Sequence, residues 1–226
     1  MDIEPDAGLA DGPAEEAVGN AAFVLALLGR GLRDRAVLRA MERVPRARFA
    51  PPEHADLARR DLALPLACGA VMTAPGTVAR MLALLRVAPG QRVLEVGTGS
   101  GYVTALLAEL GAAVTSLERY ATLADAARGR ITPDAPVAVL HADGLDWAGM
   151  ETFDRILVNG AVGALSPAWI AALAPDGRLV AGLGHAGDCR LTLYRHAPEG
   201  CETGPPARLA GLVPGRALAL ETGFGR

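Results

Sequence analysis

Lysine is absent from this 226-residue chain, whose 22 basic side chains are all arginine. Any reaction that needs a lysine amine, such as Schiff-base formation, is excluded. Cysteine is scarce as well: Cys68, Cys189 and Cys201 are too few and too scattered for a disulfide framework, and no CxxC or Cys/His cluster has zinc spacing. His54, His141, His185 and His196 show no i, i+4 pairing, so no metal is expected. This cysteine usage fits a reducing, cytoplasmic compartment. A basic excess is also missing. With 25 acidic residues the net charge is −3, which argues against a nucleic-acid partner. The apolar stretch at 21–28 is too short to span a bilayer and follows acidic rather than basic residues, so neither a membrane segment nor a signal peptide is expected.

Hydrophobic residues are plentiful, at 51%, enough for one sizeable core. The chain is organised around residues 92–101, where the apolar Val93, Leu94 and Val96 give way to Gly97, Thr98, Gly99, Ser100 and Gly101. Apolar residues that do not alternate with polar ones suit a strand covered on both faces, and glycine lets the backbone turn sharply and approach a ligand. Val103, Leu106, Leu107 and Leu110 follow at helical spacing, so the turn also opens a helix with free N–H groups at its start. A dinucleotide fingerprint needs its third glycine at the sixth position, which here is Tyr102. Glu118 closes the next apolar run, where a ribose-binding acid belongs. Glu95 lies inside the first run, and a buried carboxylate there would disfavour a pyrophosphate.

Glu95, the Gly97-x-Gly99-x-Gly101 loop and Glu118 together resemble the S-adenosylmethionine site of class I methyltransferases. The resemblance implies a Rossmann-like α/β fold: a mostly parallel sheet, helices on both faces and an antiparallel strand near the C-terminal end. Ser100 is not in a GxSxG elbow, since Thr98 stands two residues before it, which disfavours a serine hydrolase.

Four regions of one structural unit follow from patterning. Residues 1–17, rich in Asp, Glu, Ala, Gly and Pro, are expected to form a mobile tail. Residues 18–90 form a helical cap and substrate loop, with helices at 20–28 and 34–44, the second carrying Val37, Leu38, Met41 and Val44 on one face. A helix after Pro75 is expected to end at Pro89-Gly90. Residues 91–200 make the cofactor domain, with a helix at 121–130, strands at 137–140 and 153–160, a helix at 167–173, a strand at 176–181 and part of a late hairpin at 191–194. Residues 201–226 form the closing strand region.

Within this frame, Val44-Pro45-Arg46 followed by Phe49 and Pro51, then Asp61-Leu62-Ala63-Leu64-Pro65-Leu66 and Gly69, resemble the protein-L-isoaspartate (D-aspartate) O-methyltransferases over residues 35–215. The family has a Thr-Ile-Ser triplet in its substrate loop, where this chain reads Val71-Met72-Thr73. Thr73 then falls at the serine position and is the candidate catalytic residue, orienting the substrate carboxylate; capping of the helix after Pro75 is its alternative role. The resemblance assigns Asp143 and Gly144 to the adenine. It also brings Asn159, in an Asn159-Gly160-Ala161 run replacing the family's Thr-Ala-Ala, to the reacting methyl group. The implied activity is methyl esterification of the free carboxylate of isoaspartyl residues in damaged proteins, after which succinimide formation allows return towards aspartate. An isoaspartyl carboxylate is ionised at neutral pH and needs no general base, which suits a chain without an evident catalytic His or Cys. The implied partner is an isoaspartyl protein or peptide, and the chain is expected to be a monomer or weak homo-oligomer. Two alternatives stay open: a carboxyl methyltransferase with a different acceptor, and a non-catalytic S-adenosylmethionine-binding module.

Overall fold

The computed structural model describes residues 13–147, 149, 151–196 and 200–217. Its first helix, α1, covers Pro13–Gly29 and buries Phe23, Val24 and Leu27. It starts ahead of the Asn20 at which apolar spacing begins, so residues 13–17 are helix and not tail; residues 1–12 lie outside the described residues. Pro13 suits a first helical turn, because its missing N–H would have had no intrahelical partner there. In α2 (Arg35–Arg43) the Asp34 side chain accepts from the N–H of Ala36 and Val37 at 3.0 and 3.1 Å. Two otherwise unpartnered donors are thereby satisfied. Val44 turns extended before Pro45, as a residue preceding proline is sterically pushed to do.

Short 3-10 turns at Arg46–Phe49 and Pro52–Leu57 lead into two brief strands, β1 (Leu64–Pro65) and β2 (Val71–Met72), paired antiparallel. The segment is therefore a closed hairpin whose second arm delivers Thr73. Helix α3 (Pro75–Leu85) buries Val78, Met81, Leu82 and Leu85. It ends at Arg86, which adopts φ 51°, short of the Pro89-Gly90 pair at which the sequence pattern stops it.

The main sheet has seven strands in the order β5-β4-β3-β6-β7-β8-β9. These are β3 (Arg92–Val96), β4 (Ala113–Glu118), β5 (Val137–His141), β6 (Phe153–Val162), β7 (Leu173–His185), β8 (Asp188–Tyr194) and β9 (Cys201–Ala207). Pairing is parallel from β5 through β7, then antiparallel for β7 with β8 and β8 with β9. The expected Rossmann-like sheet is present, with its antiparallel strands at the C-terminal edge. Helices α4 (Tyr102–Glu109), α5 (Ala121–Arg130) and α6 (Pro167–Ala171) complete the layers. Helix α6 is shorter than the 167–173 pattern, because Leu173 already belongs to β7.

Successive strand residues point to opposite faces, and the core divides accordingly. Val93, Leu157 and Val180 pack with α3 and α4 through Leu82, Leu106 and Leu107, while Leu94, Ile156 and Leu179 pack with Phe153 and Trp169. Both faces of β3 are thus covered, which is why its apolar run does not alternate. Because α4, β4, α5 and β5 continue to one side of β3 while β6 lies on the other, a crevice opens at the carboxyl ends between β3 and β6.

Of residues 201–226, expected as the closing strand region, Cys201–Ala207 form β9, 208–217 cross that end of the sheet with isolated bridges, Ala161 to Gly211 and Tyr120 to Ala217, and 218–226 lie outside the described residues. Ala161 N–H donates to Ala210 O at 2.7 Å and Leu212 N–H to Ala161 O at 3.0 Å, while Ala217 N–H donates to Arg119 O at 2.8 Å. A β-carbon on Gly160 would lie 2.5 Å from Leu212 Cδ2, and one on Gly182 would lie 2.6 Å from Leu209 Cδ1. Both strand glycines make room for this strap. Among the described residues no helix is long and apolar enough to cross a membrane.

Candidate functional site

The loop after β3 is built by backbone bonds that bend it over β4. Gly97 and Thr98 both donate to Leu117 O, at 2.9 and 3.3 Å, and Gly101 donates to Thr98 O at 3.0 Å. Gly97, Gly99 and Gly101 take φ of 94°, 54° and 87°, a left-handed backbone that residues with a β-carbon rarely adopt. Glu118, at the end of β4, faces the loop: its Oε2 accepts from Gly99 N–H at 2.8 Å and its Oε1 from Tyr120 N–H at 3.0 Å. Each carboxylate oxygen keeps a further lone pair for a ligand.

At the end of β5, Asp143 accepts from Leu145 N–H at 2.9 Å through Oδ1 and from Gly215 N–H through Oδ2. The adjoining Gly144 carbonyl accepts from the buried indole N–H of Trp169 at 2.8 Å. A β-carbon on Gly144 would sit 2.5 Å from Val96 Cγ1, so this turn lies flat against β3. Within β6, where its pairing with β7 shifts register between Leu157 and Ala161, Asn159 donates from Nδ2 to Gly97 O at 3.3 Å and accepts at Oδ1 from the Thr73 hydroxyl at 2.9 Å.

These elements enclose an open cavity of about 960 Å³, counted to its mouth, lined by Thr73, Gly97, Thr98, Gly99, Ser100, Glu118, Asp143, Gly144 and Asn159. The β2 arm forms one wall and the strap residues Ala210 to Val213 another. Among the described residues no group of three or more His, Cys, Asp or Glu could hold a metal ion.

The family model described as Protein-L-isoaspartate(D-aspartate) O-methyltransferase (PCMT) matches residues 19–203. The chain belongs to this family. It is 49% identical over 176 residues to Protein-L-isoaspartate O-methyltransferase 2 of Rhodopseudomonas palustris strain HaA2, a match covering 76% of this chain and 81% of that protein. With the corresponding protein of Nitrobacter winogradskyi it shares 44% identity over 182 residues, covering 79% and 84% of the two chains. Among solved structures, the fold resembles a Plasmodium falciparum PCMT in complex with S-adenosyl-L-homocysteine, with a TM-score of 0.69, 22% identity and coverage of 89% and 99%. It also resembles another protein-L-isoaspartate O-methyltransferase, with a TM-score of 0.74, 19% identity and coverage of 86% and 66%. At those identities the likeness is one of fold.

In this family member, two residues expected at the cofactor do not line the cavity. Glu95 is fully buried behind the glycine loop and is not part of the cavity wall. Its Oε2 accepts from Thr104 Oγ1 at 2.5 Å and Ser116 Oγ at 2.7 Å, and Ser116 in turn lies 2.5 Å from Thr98 Oγ1. Its connection to the cavity therefore runs through Ser116 and Thr98. Burial, partly offset by the two hydroxyl donors, pushes its pKa up to about 7. Gly101 also lies off the wall, against Ala127 of α5. Its role is to let α4 start there.

Arg46 escaped the sequence-based choice of site residues. Its guanidinium is 2% exposed and donates to Ala58 O at 2.9 Å, Leu62 O at 3.0 Å and Thr73 O at 3.3 Å. Burial lowers its pKa to about 10, which leaves it charged at neutral pH. One side chain thereby ties the backbone at Thr73 to that at Ala58 and Leu62. An arginine set between the apolar Val44 and Phe49 was the available signal. Nothing in the local sequence marks the strap as a cavity wall.

Proposed function

We propose that this chain is an S-adenosylmethionine-dependent O-methyltransferase that esterifies the free carboxylate of L-isoaspartyl residues in damaged proteins. Membership of the isoaspartyl methyltransferase family over most of the chain supports the reaction. The observation that carries the cofactor reading is Glu118, an acid 5% exposed at a cavity edge beside three left-handed glycines. The donor set fits a nucleoside with no phosphate. Glu118 would accept from the two ribose hydroxyls, and Gly97, Thr98, Gly99 and Ser100 would line the amino-acid end. The Asp143–Gly144 turn would meet the adenine, with the Asp143 carboxylate accepting from its amine.

When bound, S-adenosylmethionine supplies a methyl group on a sulfonium, and transfer to a carboxylate oxygen breaks the carbon–sulfur bond and releases a neutral thioether. The acceptor is already ionised, so the protein need not remove a proton. What its side chains contribute is position and exclusion of water. Thr73 and Asn159 stand between the glycine loop and the β2 arm, where an acceptor would approach. Arg46 would fix the Thr73 backbone, and the strap would cover the cofactor. A peptide or protein bearing isoaspartate is the partner that this reading requires.

The test is transfer from labelled S-adenosylmethionine to a matched pair of peptides that differ only in an isoaspartyl or aspartyl linkage. Labelling of the isoaspartyl peptide alone is the expected result. Equal labelling of both, or labelling of neither while S-adenosylhomocysteine still binds by calorimetry, would overturn the substrate assignment.

A further inference from the structure

Thr73 and Asn159 present to the cavity a donor and an acceptor whose order is set by Gly97. The Gly97 carbonyl can only accept, so the Asn159 amide must turn Nδ2 towards it, at 3.3 Å, and Oδ1 towards Thr73. Oδ1 can only accept, so the single Thr73 hydroxyl proton is spent on that bond, at 2.9 Å. Thr73 is then left with acceptor capacity alone, and of the two side chains only Asn159 can still donate. Asn159 Nδ2 retains its second N–H, since Gly97 O is its one partner among the described residues, and Thr73 Oγ1 retains lone pairs. Both residues line the cavity, with Thr73 8% exposed and Asn159 partly exposed.

We infer that Asn159 is the residue that donates to the acceptor carboxylate, while Thr73 accepts from the substrate's backbone N–H. This rests on the isoaspartyl reading above. In an isoaspartyl residue the free α-carboxylate and the residue's own amide N–H are attached to the same Cα, so one adjacent donor and acceptor can grip both. A normal aspartyl residue has its free carboxylate one carbon further from that N–H and cannot place both groups on the same pair. The arrangement reverses the part expected of Thr73, which is a hydrogen-bond acceptor here and not the donor to the carboxylate. Arg46 reinforces it by holding the Thr73 carbonyl at 3.3 Å, leaving the side chain in register with Asn159.

The test uses the full chain, an isoaspartyl peptide and the same peptide N-methylated at the isoaspartyl nitrogen. Asn159→Asp keeps the size of the side chain but replaces the donor with a second oxygen. It is expected to lower kcat/KM for the isoaspartyl peptide about 10- to 100-fold, chiefly through KM, the usual consequence of losing a hydrogen bond to a charged group. Because Asn159 also holds Gly97 O, affinity for S-adenosylhomocysteine is read in parallel by calorimetry, and a loss there as large as the loss in kcat/KM would assign the effect to the glycine loop and overturn the inference. In wild type, N-methylation of the peptide should cost about fivefold, the worth of a neutral hydrogen bond, and in Thr73→Val it should cost nothing more. An unchanged KM in Asn159→Asp, or an N-methyl penalty equal in wild type and Thr73→Val, would overturn the inference while leaving methylation intact. A wild-type chain that binds S-adenosylhomocysteine but labels no isoaspartyl peptide would instead remove the functional reading on which it rests.

Discussion

The Thr73 hydroxyl donates to Asn159 Oδ1 at 2.9 Å, joining residues 86 positions apart. One of the two roles that the sequence leaves open for Thr73, capping of α3, is not the one its hydroxyl takes. The residue preceding α3 is Ala74, and no side chain caps that helix, so Thr73 is not its cap. Its hydroxyl instead links the β2 arm to β6, and through Asn159 Nδ2 to the glycine loop. The β2 arm, β6 and the glycine loop are thereby connected.

Glu118→Ala should weaken binding of S-adenosylhomocysteine about 10- to 100-fold, since a carboxylate gives charge-assisted hydrogen bonds worth roughly 1.5–3 kcal/mol. The same change removes the acceptor that holds Gly99 N–H at 2.8 Å. Calorimetry on the variant reads the loss, and unchanged affinity would exclude Glu118 from the cofactor site.

Glu95 should make the fold pH-sensitive in a defined direction. Its carboxyl has a folded pKa of about 7 against an ordinary 4.5, so between those values the folded chain holds a proton that the unfolded chain has released. Its contribution is therefore most favourable below about 4.5 and is lost as pH rises through about 7, a change of roughly 3 kcal/mol. Glu95→Gln cannot ionise. Urea unfolding should show the variant gaining on wild type by a few kcal/mol between pH 5 and pH 8, and parallel pH profiles would sink the idea.

Arg46→Met should cost roughly 3–5 kcal/mol by urea unfolding, close to the cost of breaking a buried charged network from one side. The Ala58, Leu62 and Thr73 carbonyls would lose their shared donor. A loss below about 1 kcal/mol, as at an exposed surface site, would show that the guanidinium does not hold these segments.

Two glycine substitutions should separate folding from binding. Gly101→Ala puts a β-carbon 3.1 Å from Ala127 Cβ at φ 87°, and a loss of about 1–3 kcal/mol is expected by thermal unfolding. Gly99→Ala meets only Leu66 Cδ1, at 3.4 Å, at the milder φ of 54°. Its cost should fall on S-adenosylhomocysteine affinity, because the added methyl group stands on the cavity wall. Equal effects of the two changes on both measurements would contradict this division.

Much of the frame is legible in the sequence, for reasons that are local. The apolar run of β3, the glycine spacing after it and the acid closing β4 each follow from one stretch of chain, because a strand buried on both faces needs an unbroken run and a left-handed turn needs glycine. Asp34 marks the start of α2 in the same way, since a short acceptor can satisfy the first free N–H groups of a helix. The beginning of α1 was less legible: residues 13–17 lack apolar periodicity, and their helix is continuous with the packed turn around Phe23 and Leu27.

The rest depends on contacts between distant segments. Glu95 has the residue type and position of a cofactor ligand, yet whether it reaches a ligand or the hydroxyls of Thr104 and Ser116 depends on how α4 and β4 pack around it. Arg46 reads as part of a motif, and only packing of three segments on it reveals a buried clamp. The strap over the cavity is held by backbone groups and by space left at Gly160 and Gly182, none of which carries a local signature of a cavity wall. The sequence by itself determined most of the strands, the glycine loop and the chemical class of the residues near the strand ends, because strand and turn preferences act over a few neighbouring residues. Only the tertiary structure decided which of those side chains face the cavity and which face one another, because hydrogen-bond partners are chosen by three-dimensional proximity between segments far apart in the chain.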